Sequence, residues 1–342
     1  VPNTATTLTI ITIGDNRLGC IHYSQTTEGS HLIFEGTGSL TVADADYNTE
    51  SHNGSEYPGV EQMGDGTYFS NHWCAAIGNN DSNDKCHGIV INSGTIFVGT
   101  TQAENCTAIG GGGNGYGEVT INGGTITAVA TTTGTAIGGG IGYNSNGGQG
   151  NVIINGGNVY AYNFANRWNI PSSAIGGAGT RKANGAIGTV KINAGYVYAY
   201  SALGTAIGGG SSQWKKGGDA DITISGGTVI AKTGSKLSTG IGGGTGNSGG
   251  VIDENHDNLE TNRNGGNATV TINGSAIVRT GSIGGGGTGN TNVDKIGNAT
   301  ILISDGDIQA QCILAAGSGA TPTFTMTGGT IRNSNTADSE YL

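Results

Sequence analysis

The sequence predicts an all-β protein, a parallel β-helix or solenoid of roughly nine coils with three short strands per coil and loop insertions. Two observations behind this prediction are compositional: the 342 residues include 68 glycines, and only 11% of them are charged. Interior glycine costs a helix about 0.5–1 kcal/mol relative to alanine, so helices are disfavoured. The third observation is that two short phrases alternate along the chain, which is typical of a repeat architecture.

The first phrase is an isoleucine–glycine pair, most often within "AIGGG". Successive pairs are separated by 28 to 42 residues, a spacing expected for stacked repeats. Each isoleucine is therefore expected to occupy the same position in its coil. The isoleucines are Ile77, Ile109, Ile137, Ile175, Ile207, Ile241 and Ile283.

The second phrase predicts two strands joined by a tight corner. It reads "VTINGGTITA" from Val119 and "VIINGGNVYA" from Val152. Apolar residues alternate with period two, so Val119 and Ile121 should point inward while Thr120 points outward. The "NGG" corner turns the chain before Ile126 resumes the alternation. Stacked at about 4.8 Å, roughly nine such coils would make a rod about 40 Å long.

Asparagine or serine precedes the glycine corner in every repeat. Stacked side chains at this position predict a hydrogen-bonded ladder from coil to coil. The residues are Asn92, Asn122, Asn155, Asn193, Ser225, Asn273 and Ser304. The stretch from Gly110 to Gly115 also fits a dinucleotide-binding pattern, but that site requires a strand-to-helix turn, which this sequence does not predict.

Residues 1–342 are predicted to form one β-helix domain. Its parts are N-terminal strands or a cap at 1–42, a long insertion at 43–73, regular repeats at 74–331 and a tail at 332–342. Cys74 and Cys86 flank a short polar loop, so they are expected either to form a disulfide or to remain as small buried thiols.

The net charge of −10 argues against nucleic-acid binding, which requires a dense basic surface. It is compatible with glycans and with bound cations. No apolar stretch approaches the roughly 20 residues of a membrane span, so membrane insertion is not expected. Because Val1 starts without a signal-like leader, the chain is expected to be the mature or excised region of an exported protein.

In its "AIGGG" and "VTINGGTITA" repeats the chain resembles Gly-rich repeat regions of Gram-positive bacterial cell-surface proteins. More broadly, it resembles the right-handed, pectin-lyase-like parallel β-helix superfamily. The resemblance covers about Ile77 to Ile331. It implies a right-handed helix, an extracellular or cell-surface location and carbohydrate ligands, bound by a polysaccharide lyase, a glycoside hydrolase or a binding module. No enzyme motif matches, so no catalytic residue carries over.

Two columns of aromatic side chains are the candidate binding surface, because rigid rings with polar tips stack on sugars. Each repeat is counted here from its isoleucine–glycine phrase. One column then points outward from the third strand of each repeat, and Tyr162 and Tyr200 lie beside it. This column consists of Phe97, Thr127, Tyr160, Tyr198, Ile230, Val278 and Gln309. The other follows "IGGG". The candidate binding residues are Tyr116, Tyr143, Tyr160, Trp168, Arg181, Tyr198 and Trp214. The alternatives are a packed tyrosine ladder or a surface covered by another domain.

Acidic residues concentrate in two irregular stretches. In the 43–73 insertion, a pair of carboxylates would suit glycoside hydrolysis, and the candidates are Asp44, Asp46, Glu56, Glu61 and Asp65. Alternating oxygen donors suggest calcium, with candidate ligands Asp44, Asp46, Asn48 and Glu50 in one stretch and Asp253, Asn255 and Asp257 in the other. Elsewhere, Glu118 is expected to be a solvated surface acid and His87 a surface or packing residue.

The leading hypothesis is an extracellular protein that binds a polysaccharide or another glycan without catalysing a reaction. It requires no cofactor, with calcium as an optional ligand. The first alternative is a polysaccharide-degrading enzyme, a glycoside hydrolase or polysaccharide lyase, that uses the 43–73 carboxylates. The second is a structural stalk or adhesin spacer. The sequence makes no prediction about the oligomeric state.

Overall fold

The protein is a parallel β-helix, as the repeats predict. The computed structural model describes residues 5–23, 28–43, 75–79, 86–100, 107–131, 133–164, 170–246, 248, 263–289, 295–313 and 321–333. The regular secondary structure of these residues is entirely β, in 27 strands numbered β1 to β27 in chain order. Every pairing between these strands is parallel. The described part of the chain contains no helix that could cross a membrane.

Each coil begins with a strand of a ten-stranded sheet. The "VTIN"-type phrases form these strands, because their alternating valines and isoleucines suit a surface buried on one face. The strands are β1 (Thr7–Thr12), β4 (His31–Gly36), β7 (Cys86–Ile91), β10 (Gly117–Ile121), β13 (Gly150–Ile154), β16 (Gly188–Ile192), β19 (Ala220–Ile224), β22 (Ala268–Ile272), β24 (Ala299–Ile303) and β26 (Thr323–Met326).

After the glycine corner, the second strand of each coil joins a 17-stranded sheet. These strands are β2 (Asp15–Leu18), β5 (Ser39–Ala43), β8 (Thr95–Thr100), β11 (Thr125–Ala130), β14 (Asn158–Asn163), β17 (Tyr196–Ser201), β20 (Thr228–Thr233), β23 (Ile277–Gly284), β25 (Asp307–Ile313) and β27 (Thr330–Asn333).

The isoleucine–glycine pairs form the third strand of a coil in the same sheet. These short strands are β6 (Ala75–Gly78), β9 (Thr107–Gly110), β12 (Ile137–Gly138), β15 (Ile175–Gly176), β18 (Ile207–Gly208) and β21 (Ile241–Gly242), and β23 supplies the equivalent pair at its end. In the first coil the equivalent strand is β3 (Ile21–His22), where a histidine takes the place of the glycine. The isoleucines predicted to be equivalent are in register from Ile77 to Ile283.

Ten coils are present in the described residues, where the repeated phrases predict about nine. The additional coil is formed by β1 to β3, which pair with the following coil. Its sequence from Thr7 to His22 lacks the glycine-corner phrase, so comparison of the phrases missed it.

One continuous apolar core fills the helix. Val119 and Ile121 are buried while Thr120 between them is half-buried, which confirms the predicted alternation. One position of the outward column was wrong. Val278 pairs with Val229 and is fully buried, and Arg279 takes the outward position opposite Ile230.

The predicted asparagine ladder forms through four consecutive corners. The Asn122 amide donates to Asn92 at 2.8 Å, Asn155 donates to Asn122 at 2.8 Å, and Asn193 donates to Asn155 at 2.6 Å. Asn92 in turn donates to the Glu35 carboxylate at 2.7 Å. The ladder therefore begins one coil earlier than the asparagine pattern predicts, on a carboxylate.

Candidate functional site

The tyrosine column on β14 and β17 is largely packed. Tyr162 is fully buried and Tyr198 is 5% exposed, within a second apolar cluster that also contains Phe164. The Tyr162 ring lies 5.6 Å from the Tyr198 ring and 5.6 Å from the Phe164 ring, centroid to centroid. This geometry favours the ladder interpretation for Tyr198. Tyr160 is half-buried at the margin of the cluster.

The loop column converges on one surface cluster. Isolated parallel bridges join Gly142 to Thr180 and Thr180 to Ser212. The residues just after these bridges therefore lie on adjacent coils. The bridges therefore bring Tyr143, Arg181 and Trp214 close together, with Lys182 beside them. We call these four residues the Arg181 cluster.

Arg181 lies between the two rings of this cluster. Its guanidinium carbon is 5.2 Å from the Tyr143 ring centroid and 5.1 Å from the Trp214 ring centroid. Both distances fall within the about 6 Å of a cation–π contact. Arg181 also donates a hydrogen bond to the Tyr143 hydroxyl. The Lys182 ammonium is 5.9 Å and 5.6 Å from the same two centroids.

Two buried polar atoms on the Arg181 and Trp214 coils have no hydrogen-bond partner among the described residues. One is the Arg181 Nε, and the other is the Oε1 of Gln213, a residue that is only 6% exposed. Gln213 takes the position in register with Arg181, because it directly follows the bridged Ser212. A buried polar atom without a partner is costly unless a ligand or water satisfies it.

The cluster is cationic. Lys215 adds a further positive charge next to Trp214, whereas Lys216 is neutralised by Asp219 at 2.7 Å. Among the described residues, no carboxylate lies within ion-pair distance of Arg181, Lys182 or Lys215. This surface therefore differs in sign from the chain as a whole, whose net charge is −10.

An open cavity of about 700 Å³ lies on the same loop. The loop of residues 143–149 contributes to both surfaces. Tyr143 at its start belongs to the Arg181 cluster, and Ser145, Asn146 and Gln149 line the cavity. His87 and Tyr116 complete the wall on the preceding coils, together with Glu28. Tyr116 thus lies at the cavity and not in the Arg181 cluster.

His87 on the cavity wall forms a close pair with Glu118, a titratable residue that does not itself line the cavity. His87 Nδ1 lies 3.1 Å from Glu118 Oε2. The His87 ring lies 5.5 Å from the Tyr116 ring, centroid to centroid. Burial raises the pKa of the Tyr116 hydroxyl, so it remains protonated. The sequence prediction missed this pair, since it treated His87 as a surface or packing residue.

The remaining candidates lie outside the described residues. They are Trp168, all five carboxylates proposed as catalytic in 43–73, and all proposed calcium ligands in both stretches. Within the part of the chain that the structure describes, no group of three or more histidine, cysteine, aspartate or glutamate side chains is placed to hold a metal ion.

The proposed disulfide between Cys74 and Cys86 is wrong. Cys86 is a free, fully buried thiol, and burial raises its pKa to about 12. The alternative interpretation of a small buried thiol therefore holds for Cys86.

Comparison with protein-family models, with curated proteins and with solved structures found no significant match to this chain. The functional argument therefore depends on the geometry of the two neighbouring surfaces.

Proposed function

We propose that this chain binds carbohydrate at the Arg181 cluster, and that it favours polysaccharides carrying carboxylate or sulfate groups. The observation that carries the proposal is the Arg181 guanidinium held between Tyr143 and Trp214, beside Lys182, without a carboxylate partner among the described residues. Both aromatic residues are half-buried, so part of each remains exposed to solvent. Aromatic rings of this kind stack on sugar faces.

The charge of the cluster supports an anionic ligand. Arg181 is fixed by its two ring contacts, so little conformational entropy is lost when it binds a carboxylate or sulfate. Glycan binding without catalysis accounts for the aromatic rings and the positive charge of the cluster. We also propose that the protein has the extracellular or cell-surface location that the sequence leads us to expect.

The test is glycan affinity, measured by calorimetry against polygalacturonate, a sulfated glycan and a neutral glucan. We expect the two anionic glycans to bind more tightly, and their affinity to fall as salt screens the charges. Trp214→Ala should weaken binding about tenfold, equivalent to about 1.4 kcal/mol.

Two exposed lysines give a matched control. Lys182 belongs to the cluster, whereas Lys191 is exposed on the neighbouring sheet at β16. Lys182→Ala should weaken binding and Lys191→Ala should not. Equal effects of the two substitutions, or no binding of any glycan by the unmodified protein, would contradict the proposal and favour a structural spacer.

A further inference from the structure

A β-bulge interrupts the regular pairing of β7 with β10. The register runs from Cys86 opposite Gly117 to Ile89 opposite Val119, so β7 has one extra residue between these pairs. Gly88 absorbs the distortion with a φ of +68°, and a Cβ there would lie 2.2 Å from the Ser30 carbonyl oxygen. Bulges redirect a side chain and are frequent beside active sites.

The side chain at this bulge is His87, which lies on the cavity wall. Glu118 is 3.1 Å away, and the Tyr116 ring is 5.5 Å away. Asn114, on the same wall, is the one non-glycine residue with positive φ in the described chain, at 57°. Uncommon backbone conformations are concentrated at functional sites. Four features therefore coincide at one cavity.

We propose that this cavity hydrolyses acyl esters of carbohydrates, with His87 as general base and the Tyr116 hydroxyl as a hydrogen-bond donor to the developing oxyanion. Glu118 acts as a positioning residue, because a carboxylate that accepts the Nδ1 proton leaves Nε2 as the basic atom. Only the carbohydrate part of the substrate rests on the function proposed above. The ester chemistry rests on the cavity alone.

The reaction balances without an oxidant or cofactor. His87 Nε2 takes a proton from water as the water oxygen bonds to the ester carbonyl carbon. The carbonyl π electrons move to oxygen, which accepts the hydrogen bond from Tyr116. The tetrahedral intermediate then collapses, the bond to the alkoxy oxygen breaks, and the imidazolium returns the proton to that oxygen. The products are a carboxylic acid and an alcohol.

The chemistry of the wall selects an ester over other substrates. A phenol kept protonated by burial donates a hydrogen bond well, but it is a weak proton donor to a glycosidic oxygen. Before attack an acyl ester is uncharged, so neither the Glu28 carboxylate on the wall nor the Glu118 carboxylate beside His87 repels the bound substrate. Ser145, Asn146 and Gln149 supply polar contacts for the alcohol portion.

Two probes test the proposal: 4-nitrophenyl acetate, and O-acetylated glucuronoxylan, which carries both acetyl esters and carboxylates. We expect acetate release from both. His87→Asn should lower kcat/KM by about 10²–10⁴-fold, and Tyr116→Phe by about 10²–10³-fold. Glu118→Gln should lower kcat while KM and the melting temperature stay unchanged, which separates positioning from a merely structural role.

The control is His22→Asn, which removes an exposed imidazole on β3 and should leave the rate unchanged. Equal loss in the two histidine variants would show non-specific imidazole hydrolysis and overturn the proposal. So would a stoichiometric burst of 4-nitrophenol, which indicates a covalent acyl-enzyme. If His87→Asn fails to fold, Tyr116→Phe decides, since an unchanged rate there removes the site. Loss of glycan binding in Lys182→Ala tests the Arg181 cluster, and loss of 4-nitrophenyl acetate hydrolysis in His87→Asn tests the cavity, so the two proposals can fail independently.

Discussion

Substitution of Gly176 by alanine should destabilise the β-helix strongly. Gly176 lies in β15 with a φ of +128°, and a Cβ there would lie 2.2 Å from the carbonyl oxygen of Gly208 in the next coil. Real Cβ atoms essentially never approach a heavy atom within 3.0 Å. The two coils would therefore have to separate locally by about 0.8 Å.

The cost has two parts. A non-glycine residue at positive φ costs about 1–2 kcal/mol. Separation of the coils would also weaken the hydrogen bond from the Gly177 amide to the same Gly208 carbonyl, now 2.9 Å long. A backbone hydrogen bond is worth about 0.5–1.5 kcal/mol. Together they predict a loss of about 1.5–3.5 kcal/mol in the free energy of unfolding.

Gly281 in β23 is the matched control, because a Cβ there would meet nothing within 4 Å and its φ is not positive. Gly281→Ala should change the free energy of unfolding by less than about 0.5 kcal/mol. The measurement is urea unfolding followed by far-ultraviolet circular dichroism. If the two variants unfold at the same urea concentration with the same slope, close coil contact is not the reason for glycine at this position.

Three further predictions concern the ladder, the C-terminal coils and the thiol. Asn155→Ala removes two ladder hydrogen bonds, and because the residue is exposed we expect a loss of only about 1 kcal/mol in urea unfolding. Hydrogen bonding from Arg279 holds the pKa of Asp307 below its ordinary value, so this carboxylate stabilises the fold above its unfolded pKa of about 3.9. That contribution is lost as pH falls through the lower folded pKa, and Asp307→Asn should flatten the acid limb of a thermal melting series below about pH 4. Because the pKa of the Cys86 thiol is raised to about 12, peptide mapping should find Cys86 unmodified by iodoacetamide at pH 8 in the native protein and modified in guanidinium chloride.

The architecture was predictable because each coil repeats the same local sequence pattern. Val119 and Ile121 alternate with Thr120, and the glycine corner follows at a fixed distance, so one repeat predicts the next. The first coil was missed because it folds without the corner phrase. Val278 was misassigned because the "VTINGSAIVR" repeat has one residue more than its neighbours before the inward valine, and counting along the phrase does not reveal that shift.

The sequence predicted which residues form the Arg181 cluster, but not the contacts between them. Counting residues from each coil isoleucine placed Tyr143, Arg181 and Trp214 in one column, and the structure brings them together. The same count included Tyr116, which belongs to the cavity. It also gave no sign that Gln213, and not Trp214, takes the position in register with Arg181.

A solenoid with a constant repeat presents identical positions along its length, so a specific site requires a departure from the repeat. The extra residue in "CHGIVIN" is such a departure, and it produces the bulge at Gly88 that places His87 beside Glu118. The phrases that begin at Ile89 and Val119 are equally long, so the extra residue becomes evident only when the structure pairs Cys86 with Gly117. A departure from regular strand pairing therefore identifies this cavity, whereas the carboxylates of the 43–73 insertion lie outside the described residues from Asp44 onward.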